Sequence, residues 1–270
     1  MNDTARTHDP QSEGHPRRWA ALVLLLSGGF MNIMDVTIVN VALPSLQDVF
    51  DANSSQIEWV AAAYILPFAL FLLPFGRLGD RIGRKNMFLI GIASFTVFSA
   101  LCGLANSIET LIVARALQGV SSAMLMPQVL ATVQVLFAPH ERAHAFSYFG
   151  LSAGLASITG PLIGGLLIGA DLFGMGWRWI FLVNVPFGMA VIVIGRRLIP
   201  DIAGHAGIRN DWGGITLAAL VVFSLSLPLI EGHSLGWPSW TFAMMACAVP
   251  LGAGFLIYER WRARKGASQL

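Results

Sequence analysis

The chain alternates long apolar blocks with short polar connections. Eight blocks can be drawn, at 19–41, 57–75, 86–105, 108–130, 144–168, 178–198, 212–230 and 239–258. Neither the 3.6-residue period of a half-buried helix nor the alternation of a strand organises them. A block of roughly 18 or more apolar residues crosses a hydrocarbon core of about 30 Å as a helix. Backbone in lipid must satisfy its own hydrogen bonds, and barrel-type alternation is absent, so helices are expected. The predicted fold is an all-α integral membrane protein. The first block is about 23 residues long, enough to span. It follows Arg17 and Arg18, and no small-residue cleavage site comes after it. It reads as a retained helix and not as a signal peptide.

Composition points the same way. Of 270 residues, 55% are hydrophobic and 12% charged, where a soluble domain carries about 25% charged residues. The cations also set an orientation. All 17 Lys and Arg residues except Arg115 and Arg178 fall at the amino terminus, in the second, fourth and sixth connections, or in the tail. That asymmetry predicts a multi-pass protein of the cell (inner) membrane with both termini cytoplasmic. It accounts for the net charge of +2 without nucleic acid as a partner. Cys102 and Cys247 lie in separate blocks without metal-ligand spacing and read as buried bystanders.

Five segments follow from the pattern: a cytoplasmic tail over 1–18, a six-helix bundle over 19–199, a cytoplasmic linker over 200–211, two extra membrane helices over 212–260, and a basic cytoplasmic tail over 261–270. Within the six, spans 1–3 start inside and spans 4–6 start outside. Two inverted three-helix repeats are the arrangement expected of many transporters; here the repeat is inferred from topology alone.

Few polar residues interrupt the blocks. Asp35 lies deep in the first, where an unpaired carboxylate costs several kcal/mol on insertion scales. Asn32 shares its helical face. Arg115 interrupts the fourth block. Counted at about 1.5 Å per residue, Asp35 lies roughly 12 Å and Arg115 roughly 10 Å from the outer ends of their spans. We expect the two to face a shared aqueous cavity, paired directly or linked through water and Gln118. A guanidinium that can approach and leave an acid is the basic requirement of a proton-coupled cycle. The bland alternative for Asp35 is a polar residue packed between helices.

The connection G-R-L-G-D-R-I-G-R-K (76–85) is more specific than topology requires. Gly76, Gly79 and Gly83 would permit a tight reversal, and Asp80 could pair with Arg81 or Arg84. In span 5, Gly150 and Gly154, and likewise Gly160 and Gly164, are one turn apart, so a neighbouring helix can approach closely; Pro161 should bend the span. Glu58 with Trp59, and Trp177 with Trp179, suit interfacial anchoring. Asp171 and Glu231, at outer span ends, should be solvated. No nucleophile elbow, phosphate loop or metal cluster is present, so neither an enzyme nor a cofactor is expected.

These motifs together resemble the major facilitator superfamily, in particular its fourteen-helix drug:proton antiporters. The 76–85 connection is similar to the family's loop between helices 2 and 3, R-A-L-Q-G (115–119) to its helix-4 motif, and residues 150–165 to its helix-5 antiporter motif. D-V-T-I-V-N-V-A-L-P (35–44), W-R-W-I-F-L-V-N-V-P-F-G (177–188) and D-W-G-G (211–214) resemble its first helix, its entry to helix 6 and its linker helices. The resemblance implies proton-coupling roles for Asp35 and Arg115, with Asn32 and Gln118 as polar cavity residues. It implies a cytoplasmic gating clasp of Gly76, Asp80, Arg81, Gly83 and Arg84. Gly150, Gly154, Gly160, Pro161 and Gly164 would shape a bundle interface. The implied activity is antiport of amphipathic compounds against protons in a lipid bilayer. Because the family has six more helices, the chain reads as a truncated or partial transporter, completed by a carboxy-terminal bundle or a second copy. The competing readings are a non-transporting remnant or assembly partner, and a facilitator for a lipid, sugar or metabolite.

Overall fold

The computed structural model describes residues 15–201 and 212–264. The tail 1–14, the connection 202–211 and residues 265–270 lie outside the described residues, and with them Arg6, Arg209, Asp211 and Lys265. Among the described residues ten α-helices follow one another: α1 (Arg18–Phe50), α2 (Ser54–Ile82), α3 (Arg84–Gly103), α4 (Ile108–Ala123), α5 (Met126–Leu136), α6 (Pro139–Ala170), α7 (Trp179–Leu182), α8 (Asn184–Leu198), α9 (Trp212–Ser234) and α10 (Ser239–Arg264). No strand occurs among the described residues. Among the described residues eight spans are long and apolar enough to cross a membrane, with α4 and α5 forming one of them, and α7 and α8 most of another.

Both interruptions have a local cause. Proline lacks the N–H that would bond the carbonyl four residues earlier. Helix α4 ends at Ala123, four residues before Pro127, and α7 ends at Leu182, four residues before Pro186. Several helices outrun their apolar blocks. α1 continues past Val41 until Asp51 turns into the left-handed region at φ 47°. α2 then starts from a reciprocal cap, in which Asn53 Oδ1 accepts from Gln56 N at 2.9 Å and Gln56 Oε1 accepts from Asn53 N at 3.0 Å. Hydropathy marks where a helix meets lipid; the backbone stops only where a cap or a turn ends it.

Packing shows two inverted repeats. The broadest contacts are α1 with α6 and α2 with α4, that is, spans 1 with 5 and 2 with 4. Exchanging spans 1–3 with spans 4–6 maps one contact onto the other, and maps α3 with α8 (spans 3 and 6) onto itself. α9 and α10 pair with each other, and α9 lies against α2. One buried cluster, with Ile38, Leu46, Val60, Leu111 and Phe181, fills the end away from the basic connections. A second, with Leu25, Tyr64, Phe88, Leu125 and Val191, fills the basic half. The polar site lies between them.

Candidate functional site

Three helices from both repeats bring their mid-span polar residues to one point. Asp35 comes from α1, Arg115 and Gln118 from one face of α4, and Asn184 from the first residue of α8. Asp35 Oδ2 accepts from Arg115 Nη1 at 2.5 Å. Asp35 Oδ1 accepts from Gln118 Nε2 and Asn184 Nδ2, each at 2.9 Å. Arg115 Nη1 also donates to Gln118 Oε1 at 2.8 Å, and its Nε to the Val60 carbonyl of α2 at 3.2 Å. The guanidinium lies over the Tyr64 ring at 4.2 Å and near the Phe181 ring at 5.7 Å. Asn184 is tied back to Ser99 at 3.1 Å, and Tyr64 donates to Ser122 at 2.7 Å.

Asp35 is 0% and Arg115 1% exposed. The expectation of direct pairing with help from Gln118 matches this geometry. The expectation of an open aqueous cavity does not: the pair is closed over by Tyr64 and Phe181. A buried ion pair holds only when its remaining donors and acceptors are filled, and here each partner has three polar contacts. Asn32 shares the buried face, at 4% exposure, but its Nδ2 has no hydrogen-bond partner. It adjoins the network without joining it.

Gly119 explains how α4 comes near enough. A Cβ there would stand 3.0 Å from Tyr64 Cα, against the α2 backbone. The Gln118 oxygen also lies 3.6 Å from Cys102 Sγ. Cys102 is buried as expected, whereas Cys247 is exposed.

The gating segment differs from its expected loop. Gly76, Asp80 and Arg81 lie within the last turns of α2, and only Gly83, at φ 95°, makes the reversal into α3. Gly76 and Gly79 have another use: Pro127 and Gln128 at the start of α5 press against them, and a side chain at Gly79 would displace the end of the Gln128 side chain. Asp80 pairs with Arg84 at 2.9 Å, and Arg84 Nη1 donates to the Ala131 carbonyl of α5 at 2.5 Å. Arg81 is exposed.

The α6 glycines divide into two sets. Gly160 and Gly164 meet Thr37 and Ile38 of α1, whereas Gly150 and Gly154 have nothing within 4 Å. The helix runs unbroken through Pro161, so the expected bend does not interrupt it. Trp177 is no interfacial anchor; it is buried against Phe50 and Phe181. Trp59 donates from its indole to Glu231 at 2.6 Å, which gives that acid a protein partner. Between α2, α4 and α9 lies an apolar cleft of about 600 Å³ walled by Trp59, Leu66, Phe71, Leu117 and Phe223. None of Asp35, Arg115 and Gln118 lines it.

Asn184 and Tyr64 were the residues that sequence reasoning missed. Asn184 could have been found: it breaks an apolar stretch about as far from its span's start as Arg115 does. Tyr64 carries no such signal, since a tyrosine in a span is ordinary.

The sequence matches the family profile described as Major Facilitator Superfamily over residues 25–269. It is 41% identical over 259 residues to a probable actinorhodin transporter of Streptomyces coelicolor, covering 95% of this chain and 44% of that protein. It is 34% identical over 254 residues to the tetracenomycin C resistance and export protein of Streptomyces glaucescens, covering 93% of this chain and 46% of that one. The chain therefore spans less than half the length of these relatives. Among solved structures, it is similar to a bacterial homolog of the human lysosomal transporter Spinster in an inward-facing, occupied conformation. The TM-score is 0.62 at 21% identity, over 82% of this chain and 54% of that one; at such identity the likeness speaks for the fold.

Proposed function

The chain belongs to the major facilitator superfamily, and from that premise we propose that it forms one half of a proton-coupled exporter of amphipathic small molecules. The observation that carries this reading is the buried Asp35–Arg115–Gln118–Asn184 network. An ionised carboxylate is purely an acceptor, whereas a protonated one carries a donor of its own. Three N–H groups converge on Asp35, and a proton added there takes the remaining acceptor position and cancels the charge that holds the Arg115 guanidinium. Proton uptake then weakens the closed network, and the helices that share it are freer to separate as the proton arrives. Those helices, α1, α4 and α8, come from both repeats, so opening the network would shift one repeat against the other. Relatives named for antibiotic export and resistance support an amphipathic substrate. The basic ends of the spans support a cytoplasmic placement of the Gly83 turn and of both termini. Residues 19–199 would act as the bundle, and α9 with α10 as added linker helices.

The test is efflux of a lipophilic dye from vesicles under an imposed proton gradient. It compares the 270-residue chain, the same chain extended by a carboxy-terminal bundle, and Asp35→Asn in the extended form. The extended protein should drive efflux, and Asp35→Asn should lower it by at least about tenfold, equivalent to losing about 1.4 kcal/mol of coupling. Exchange of dye for dye without a gradient should survive in Asp35→Asn, which separates lost coupling from lost folding. Equal gradient-driven efflux with and without the carboxylate would remove Asp35 from the mechanism.

A further inference from the structure

Helices α3 and α8 pack against each other, closely at two glycines of α8. A Cβ at Gly195 would stand 3.2 Å from Leu89, and Thr96 fills the space beside Gly188. Above this floor lies a groove of about 490 Å³. Asn86, Leu89 and Ala93 line it from one stripe of α3, and Ile192 and Arg196 from one stripe of α8. Leu89, Ala93 and Ile192 are apolar; Asn86 and Arg196 stand at the end nearest the Gly83 turn. From Asn86 to Ala93 the groove runs about 10 Å along α3.

A polar recess of about 480 Å³ adjoins the same helix ends, with Arg17, Lys85, Arg197 and Asp201 in its walls. Asp201 is taken by Lys85 at 3.1 Å. Among the described residues no carboxylate pairs with Arg196 or Arg197, and both are exposed. Apolar walls within two of the spans thus lead up to cations that have no anion among the described residues.

We propose that the α3–α8 groove binds an anionic phospholipid, with the upper part of an acyl chain against Leu89, Ala93 and Ile192 and the phosphodiester on Arg196 and Arg197. A hydrocarbon chain fits where water gains no hydrogen bonds, and a phosphate oxygen supplies the acceptor that exposed guanidinium groups favour. Charge selects the occupant: a zwitterionic lipid offers the same chain without the net negative charge. This site is independent of the proton-coupling network and requires only that these helices lie in a bilayer.

Native mass spectrometry of the full chain, released from an uncharged detergent, tests the proposal with phosphatidylglycerol, phosphatidylcholine of the same acyl chains, and inorganic phosphate as probes. Phosphatidylglycerol should remain bound at concentrations where phosphatidylcholine does not. Arg196→Gln with Arg197→Gln should weaken its retention by about 30-fold, roughly fivefold per cation. Ala93→Phe fills the groove from an exposed position and should also weaken lipid retention while leaving the chain's thermal stability unchanged. Equal retention of the two lipids would overturn the proposal, as would phosphatidylglycerol binding unchanged in either variant. Full displacement by millimolar inorganic phosphate would mean a phosphate site without a lipid chain, and would overturn it as well.

Discussion

Asp35 accepts from Arg115, Gln118 and Asn184 at once, so the consequence of a substitution depends on what it leaves behind. Removing the cation alone strands a buried carboxylate with only two amide donors, and breaking a buried pair in this way costs about 3–5 kcal/mol. Removing both charges leaves polar amides beside an apolar patch, a far smaller penalty. Arg115→Met should therefore unfold at markedly lower denaturant than the parent chain. Asp35→Leu added to Arg115→Met should recover most of the loss, as measured by unfolding in mixed micelles. A double variant no more stable than the single one would mean that the pair is not what holds α1 to α4. The Tyr64 ring over the guanidinium adds cation–π attraction that Arg115→Met also removes and Asp35→Leu does not restore, so the recovery should stop short of the parent chain.

At the scale of helices, the network exists because α2 and α4 run close together, and Gly119 sets that distance. A methyl group there would meet the Tyr64 backbone at 3.0 Å or less, and backbone cannot swing aside as a flexible side chain can. Gly119→Ala should push α4 away from α2 and stretch the Arg115–Val60 bond, costing about 1–3 kcal/mol for an overpacked site. Unfolding in mixed micelles should show that loss, whereas Gly150→Ala, which faces open space, should show none. Equal stability of the two variants would refute the close approach. The contrast also explains what the sequence could and could not tell. Asp35 and Arg115 were legible because a charge in an apolar block is costly and so must have a partner. The span count was legible because lipid imposes length. Gly76 and Gly79 were misread as turn residues: spacing near a loop looks the same whether a glycine bends the chain or admits a neighbour, and only the position of α5 decides. Asn184 was passed over because it sits within a segment that reads as an interfacial entry, and the network gives it meaning only once α8 is set beside α1.

For the molecule as a whole, the two α6 glycine pairs point to different partners. Gly160 and Gly164 are used inside the bundle, against α1. Gly150 and Gly154 lie open on a side where Leu151, Leu155, Ile158 and Leu162 are also exposed. Only 17% of the most apolar stretch of α6 and 22% of that of α2 are buried, against 61% for α1. Lipid can cover an apolar helix face, but it has no use for glycines one turn apart, which favour close approach of another helix. The proposal of a half-transporter assigns this face to an opposing bundle. Gly154→Phe should then leave the thermal stability of the 270-residue chain unchanged, since nothing lies within 4 Å of that position. In the version extended by a carboxy-terminal bundle, the same substitution should hold the bundles apart and lower gradient-driven efflux by an order of magnitude or more, about 1.4 kcal/mol per tenfold. Efflux equal to that of the unsubstituted extended protein would mean that the open glycines face lipid, and that α6 is not where two bundles meet.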